Sequence, residues 1–145
     1  MIPVFFDANV FFSAVRSRIG GSYFVIELAK QKHLQVVTVS HALAEAERNI
    51  VQKIGDKALQ CHYDNLMAIQ PQIQSLASVP LVLEYHLSAC MAEKDIPIVL
   101  GALLSKTSII LTLDQRHLLR NIKLMALHPS LSIMTPGAFL EMYFK

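Results

Sequence analysis

Apolar and polar positions along the chain follow two different periods. Short runs rich in β-branched and aromatic residues recur at 2–6, 34–39, 79–83, 108–113 and 131–134, and each reads as a strand. Longer stretches with helical spacing lie between them, at 10–16, 22–31, 41–53, 57–70, 87–91, 96–106, a short one from Gln115, and 137–144. Such alternation argues a parallel sheet with crossover helices. Pro136 stands where a first-turn proline belongs. Pro80 restricts its run to a sheet edge or a strand start, because proline cannot donate to a ladder. No repeat, low-complexity stretch or linker interrupts the pattern, so one α/β domain over residues 1–145 is expected.

Composition narrows the class. Of the 145 residues 53% are hydrophobic and 17% charged, against a usual charged share of about 25%. Disorder is excluded, and apolar surface is left for a partner, which a homodimer would cover. Thirteen Lys and Arg against eleven Asp and Glu give a net charge of +2, so nucleic-acid binding must come from local placement of charge. The longest clean apolar run, 96–104, is about half of the ~18 to 20 residues that a membrane span needs. MIPVFFDANV lacks a basic region before its apolar residues, so a secretory signal is not expected. Cys61 and Cys90 stand apart without metal-ligand spacing, which suits two packed thiols in a reducing cytoplasm.

In a parallel sheet the site lies beyond the carboxyl ends of the strands. Asp7 directly follows the run IPVFF, and Asn9 is placed to cap the next helix. Asp114 follows SIILTL in the same way, with Thr112 two residues before it. Glu93 and Asp95 precede the apolar helix IPIVLGALL, whose dipole favours carboxylates at its start. A single Asp after a strand is usually a helix cap. Several gathered in one cleft repel unless a cation neutralises them. A further acid is expected from AEAERNI. At about 100° per residue, Leu43, Glu47, Ile50 and Ile54 share a stripe and Glu45 points about 200° away from Leu43, so periodicity favours Glu47.

The segments FFDANVFFSAV, AEAERNI, AEKDIPIVLGALL, LTLDQRHLL and IMTPGAFLE together resemble the PIN-domain endoribonucleases, of the VapC-like kind found as toxins in prokaryotic toxin–antitoxin pairs. The resemblance runs from the first strand to the last and is weakest over 52–78. It implies a single-domain α/β/α sandwich with a five-stranded parallel sheet. It maps the family's acids to Asp7, Glu45, Asp95 and Asp114, with Asn9 and Thr112 in support, and so selects Glu45 where periodicity selects Glu47. Arg116 stands where some members carry a further acid, a loss that Glu93 would have to offset. Leu113 replaces a glycine common between the Thr and the Asp.

Both lines of reasoning lead to metal-assisted phosphodiester hydrolysis. Hard oxygen donors suit Mg²⁺ or Mn²⁺, with Asp7, Asp95 and Asp114 as the expected ligands and Glu45 holding a second ion or a water. Arg16 and Arg18 follow the first acidic element and Arg116, His117 and Arg120 the last. Of these, Arg16 and Arg116 are the expected phosphate contacts. His117 is expected to pack or hydrogen-bond locally. The remaining five histidines show no zinc-ligand spacing. Single-stranded or looped RNA suits a small cleft better than a duplex. A haloacid-dehalogenase-like phosphatase would need a second aspartate where Asn9 stands. A phosphoacceptor receiver would need paired acids after the first strand. The runner-up is a non-catalytic PIN-like scaffold that binds RNA or protein.

Overall fold

The computed structural model describes residues 1–145. Five strands, β1 (Ile2–Phe6), β2 (Leu34–Thr38), β3 (Gln72–Ile73), β4 (Ile109–Leu111) and β5 (Ser132–Met134), form one sheet in the order β3-β2-β1-β4-β5. Every pairing is parallel; Val4 lies opposite Val36, and Phe5 opposite Ile110. The helices are α1 (Ala8–Arg16), α2 (Gly21–Lys30), α3 (Ser40–Lys53), α4 (Asp56–Ile69), α5 (Leu81–Ser88), α6 (Ile96–Leu104), α7 (Ile122–Leu127) and α8 (Pro136–Tyr143). They cover both sides of the sheet, as a sheet apolar on both faces requires.

The strand order has a functional consequence. From β1 the chain first builds the sheet outward through β2 and β3, then returns to the other side of β1 for β4 and β5. Helices leaving β1 and β4 therefore diverge, and a crevice opens at their carboxyl ends. Asp7 and Asp114 leave their strands at that crevice.

The third strand is not where the apolar pattern placed it. The run at 79–83 opens α5, with Pro80 at its N-cap. A proline there has no amide to lose and fits a helix start. The strand that completes the sheet is the two-residue β3, both of whose side chains are exposed, paired to Val37 and Thr38 of β2. The stretch expected to be helical at 87–91 keeps only its first two residues in α5. The short helix expected from Gln115 is a π-helical turn, Gln115–Leu119, with α7 following as a separate element. Cys61 is exposed on α4 rather than packed, and Cys90 is half-buried; both are free thiols.

Phe5, Phe6, Phe11, Ile110, Leu111 and Phe139 lie at the centre of the core, with α6 against the sheet. A Cβ on Gly101 of α6 would stand 2.5 Å from a Val39 methyl and 2.8 Å from the Phe5 ring. Glycine here is a packing requirement, since the Val39 and Phe5 side chains occupy the space. Gly101→Ala should cost about 1–3 kcal/mol by overpacking, read as a lower urea midpoint with an unchanged slope.

Candidate active site

The crevice is built from two strand exits and one helix entrance. Asp7, and not Asn9, caps α1: its Oδ1 accepts from the Ala8 amide at 2.7 Å. Asn9 lies inside the first turn and bridges to the neighbouring strand exit. Its Oδ1 accepts from the Leu113 amide at 3.0 Å, and its Nδ2 donates to Thr112 Oγ1 at 3.3 Å and to Asp7 Oδ2 at 3.4 Å. Thr112, fully buried, donates to Asp7 Oδ2 at 2.7 Å and accepts from the Asp114 amide at 3.1 Å. Asp114 in turn caps the π-helical turn, accepting from the His117 amide at 2.9 Å. Leu113, in the place of the family's glycine, presents its backbone amide to Asn9, so the side chain does not disturb the link.

The third wall is a single 3₁₀ turn, Glu93–Asp95, that leads into α6. Asp95 is only 9% exposed, forms no side-chain cap bond, and leaves a buried Oδ2 without a hydrogen-bond partner. A buried carboxylate oxygen left in this condition costs free energy unless something binds it. Asp95, Asp114 and His117 each bring a ligand atom within 4.8 Å of the other two. This cluster can hold a metal. Its donors suit a hard divalent cation, and the orphaned Oδ2 supplies a coordination position that no protein group uses.

Of the ligand set expected from the resemblance, Asp95 and Asp114 converge, and His117 stands with them; Asp7 is not within this group. Asp7 is 6% exposed with both oxygens engaged by hydrogen bonds. Burial pushes its carboxyl up to about 6, against the lowering effect of the Thr112 and Ala8 bonds, and the charges of Glu45 and Asp95 add to the rise. Asp95 is also raised, by burial first and then by Asp114, while Lys94 and His117 partly offset this. The dipole at the start of α6 was expected to favour this carboxylate; burial and its acidic neighbour outweigh it. His117, expected to pack or hydrogen-bond locally, instead brings a ring nitrogen to the two carboxylates. The signal was its spacing, since positions i and i+3 share one side of a helical turn and Asp114 and His117 are so placed.

Glu45, half-buried on α3, lies near enough to Asp7 and Asp95 for its charge to add to the rise of both. Glu47 is exposed and acts on α4 instead, holding up the Tyr63 phenol and opposing the lowering of His62 by burial. The stripe that α3 buries is Ala42, Ala46 and Ile50, one position away from the stripe drawn through Leu43 and Glu47. Glu93 is exposed and lines a separate cleft with Leu81, Glu84 and Tyr85. Arg16 lies 5.9 Å over the Phe12 ring, a cation–π contact that Lys53 also makes at 5.8 Å. Arg116 is exposed and lines a cavity with His117 and Arg120, directly beside the acids.

No helix is long and apolar enough to cross a membrane. No protein-family model matches the chain, and no curated protein matches it significantly. Among solved structures it is similar to a chain of VapBC2 from Rickettsia felis, in a crystal structure of that complex bound to a DNA fragment from their promoter. The match has a TM-score of 0.64 at 14% sequence identity and covers 91% of this chain and 97% of that one. With its five-stranded all-parallel sheet enclosed by helices, the chain therefore has a PIN-like α/β fold.

Proposed function

We propose that the protein is a metal-dependent endoribonuclease that hydrolyses RNA phosphodiester bonds, and that it serves as the toxin of a prokaryotic toxin–antitoxin pair. The observation that carries the first part is the meeting of Asp95, Asp114 and His117 at the switch point of the sheet, with one Asp95 oxygen buried and unpartnered. Asp95 and Asp114 would hold Mg²⁺ or Mn²⁺, and the His117 nitrogen favours Mn²⁺, since imidazole suits transition metals better than Mg²⁺. A cation bound there would lower the pKa of a water and neutralise charge on the phosphoryl group. Asp7 acts from beneath, its charge added to the cluster and its position fixed by Thr112 and Asn9. Glu45 faces the same point and orients the water by accepting a hydrogen bond. Arg116 holds the substrate beside the acids. Glu93 has no role in this arrangement.

The toxin role is supported by the likeness to a chain of the VapBC2 complex. Exposed apolar side chains, among them Leu81, Val82, Ile122 and Phe144, leave surface for an antitoxin and for a second copy in a homodimer. The site reading is tested by the two acids of α3. With Mg²⁺ or Mn²⁺ present, Glu45→Gln should lower the cleavage rate of single-stranded RNA by about a hundredfold with an unchanged melting temperature. Glu47→Gln should change the rate less than threefold. The reverse ranking would place the helix acid on the other side of α3.

A further inference from the structure

A cavity of about 580 Å³ shares His117 with the acid cluster. One wall is the turn after β4 and the start of α7, which contribute Arg116, His117, Arg120 and Lys123; the other is the 88–92 segment. No carboxylate lines it. The protein's single ion pair is Lys30–Glu27, so none of these cations is paired. Asn121 fastens the two walls together: its Nδ2 donates to the Cys90 carbonyl and to the His117 carbonyl, each at 3.0 Å, while its Oδ1 caps α7 at the Leu124 amide. The concentration of charge is local. The chain as a whole carries only +2, yet Arg116, Arg120 and Lys123 all line this one cavity with no carboxylate among its walls, a local excess of positive charge that favours an anion.

We propose that this cavity is a phosphate subsite for an RNA strand, holding a phosphate group next to the one presented to Asp95 and Asp114. The inference rests on the nuclease reading of the adjacent acids. His117 belongs to both places: a ring nitrogen stands with the two carboxylates, and the residue lines the cavity. A strand that places one phosphate at the acids therefore has a neighbouring phosphate within reach of Arg120 and Lys123. Guanidinium groups suit phosphate because their paired donors match its oxygens, and the ammonium adds a mobile point charge. The anion could be an internal phosphodiester or the terminal phosphate of a strand.

The test is the affinity of short single-stranded RNA in excess chelator, where cleavage does not interfere, for wild type and for the double variant Arg120→Gln/Lys123→Gln. Both side chains are exposed, so the fold should be retained, with the melting temperature as the check. The variant should bind about tenfold more weakly, and its slope of log K against log salt should be shallower by about 0.7 for each phosphate no longer neutralised. Replacing internal linkages one at a time with neutral methylphosphonates should weaken wild type at one linkage and leave the variant unaffected there. If instead only a 5′-phosphate strengthens wild-type binding, the subsite holds a strand end. Equal affinity and equal salt slope for wild type and variant would overturn the subsite. Wild type that neither binds nor cleaves any RNA would overturn the nuclease reading beneath it.

Discussion

Asp114→Asn should lower RNA cleavage by about a thousandfold or more, corresponding to the loss of roughly 4 kcal/mol of transition-state stabilisation at a metal site. The substitution is well suited to the question because asparagine keeps the Oδ1 that accepts from the His117 amide. The turn should hold, and only the charge is removed. Wild type should be inactive in excess chelator and recover with Mg²⁺ or Mn²⁺, whereas the variant should not recover at any metal concentration. Thermal unfolding gives a second readout independent of catalysis. Mn²⁺ should raise the melting temperature of wild type by linkage and hardly move that of the variant. Wild-type cleavage undiminished in chelator, or a fully active Asp114→Asn, would rule out metal chemistry at these carboxylates.

Asp7→Asn should stabilise the metal-free protein above pH 6. The Asp7 carboxyl rises from 3.8 to about 6 on folding. A carboxyl raised in this way favours the folded state fully when both states are protonated, below about pH 3.8, and that advantage disappears as pH climbs through the folded value near 6. Above that range the ionised Asp7 costs up to about 3 kcal/mol, at 1.36 kcal/mol per pKa unit. Asparagine carries no such cost, although Thr112 must then turn from donor to acceptor, which reduces the gain. The melting temperature of the variant should exceed that of wild type by several degrees at pH 8, and the two should converge near pH 3.5. A pH-independent difference would mean that packing, not ionisation, separates them.

The site was legible where chemistry and topology coincide and obscure where a single residue is read by its neighbours. A carboxylate immediately after an apolar run is visible as such, so Asp7 and Asp114 stand out in the sequence, and the sheet does bring their exits side by side. The third strand could not be seen. Gln72 and Ile73 are too few to establish an alternation and are exposed on both faces, and their place in the sheet comes from pairing with β2. The apolar run at 79–83 looked more like a strand, yet it opens a helix at Pro80. On α3 the helical wheel followed large apolar side chains, whereas close packing there relies on Ala42 and Ala46. That shift of one position puts Glu45 close enough for its charge to act on Asp7 and Asp95. His117 was obscured because Leu118 and Leu119 follow it and suggest local packing, and its spacing from Asp114 gains meaning only once Asp95 is brought alongside.

The Thr112–Asp7 bond joins residues 105 positions apart, and Asp95 and Asp114 both lie in the second half of the chain. During synthesis the amino-terminal aspartate is therefore made long before its partners. β1 can pair with β2 early, but its other edge remains open until β4 emerges. Under the nuclease function proposed above, this order delays activity: the growing polypeptide carries an incomplete centre until Asp114 has been made.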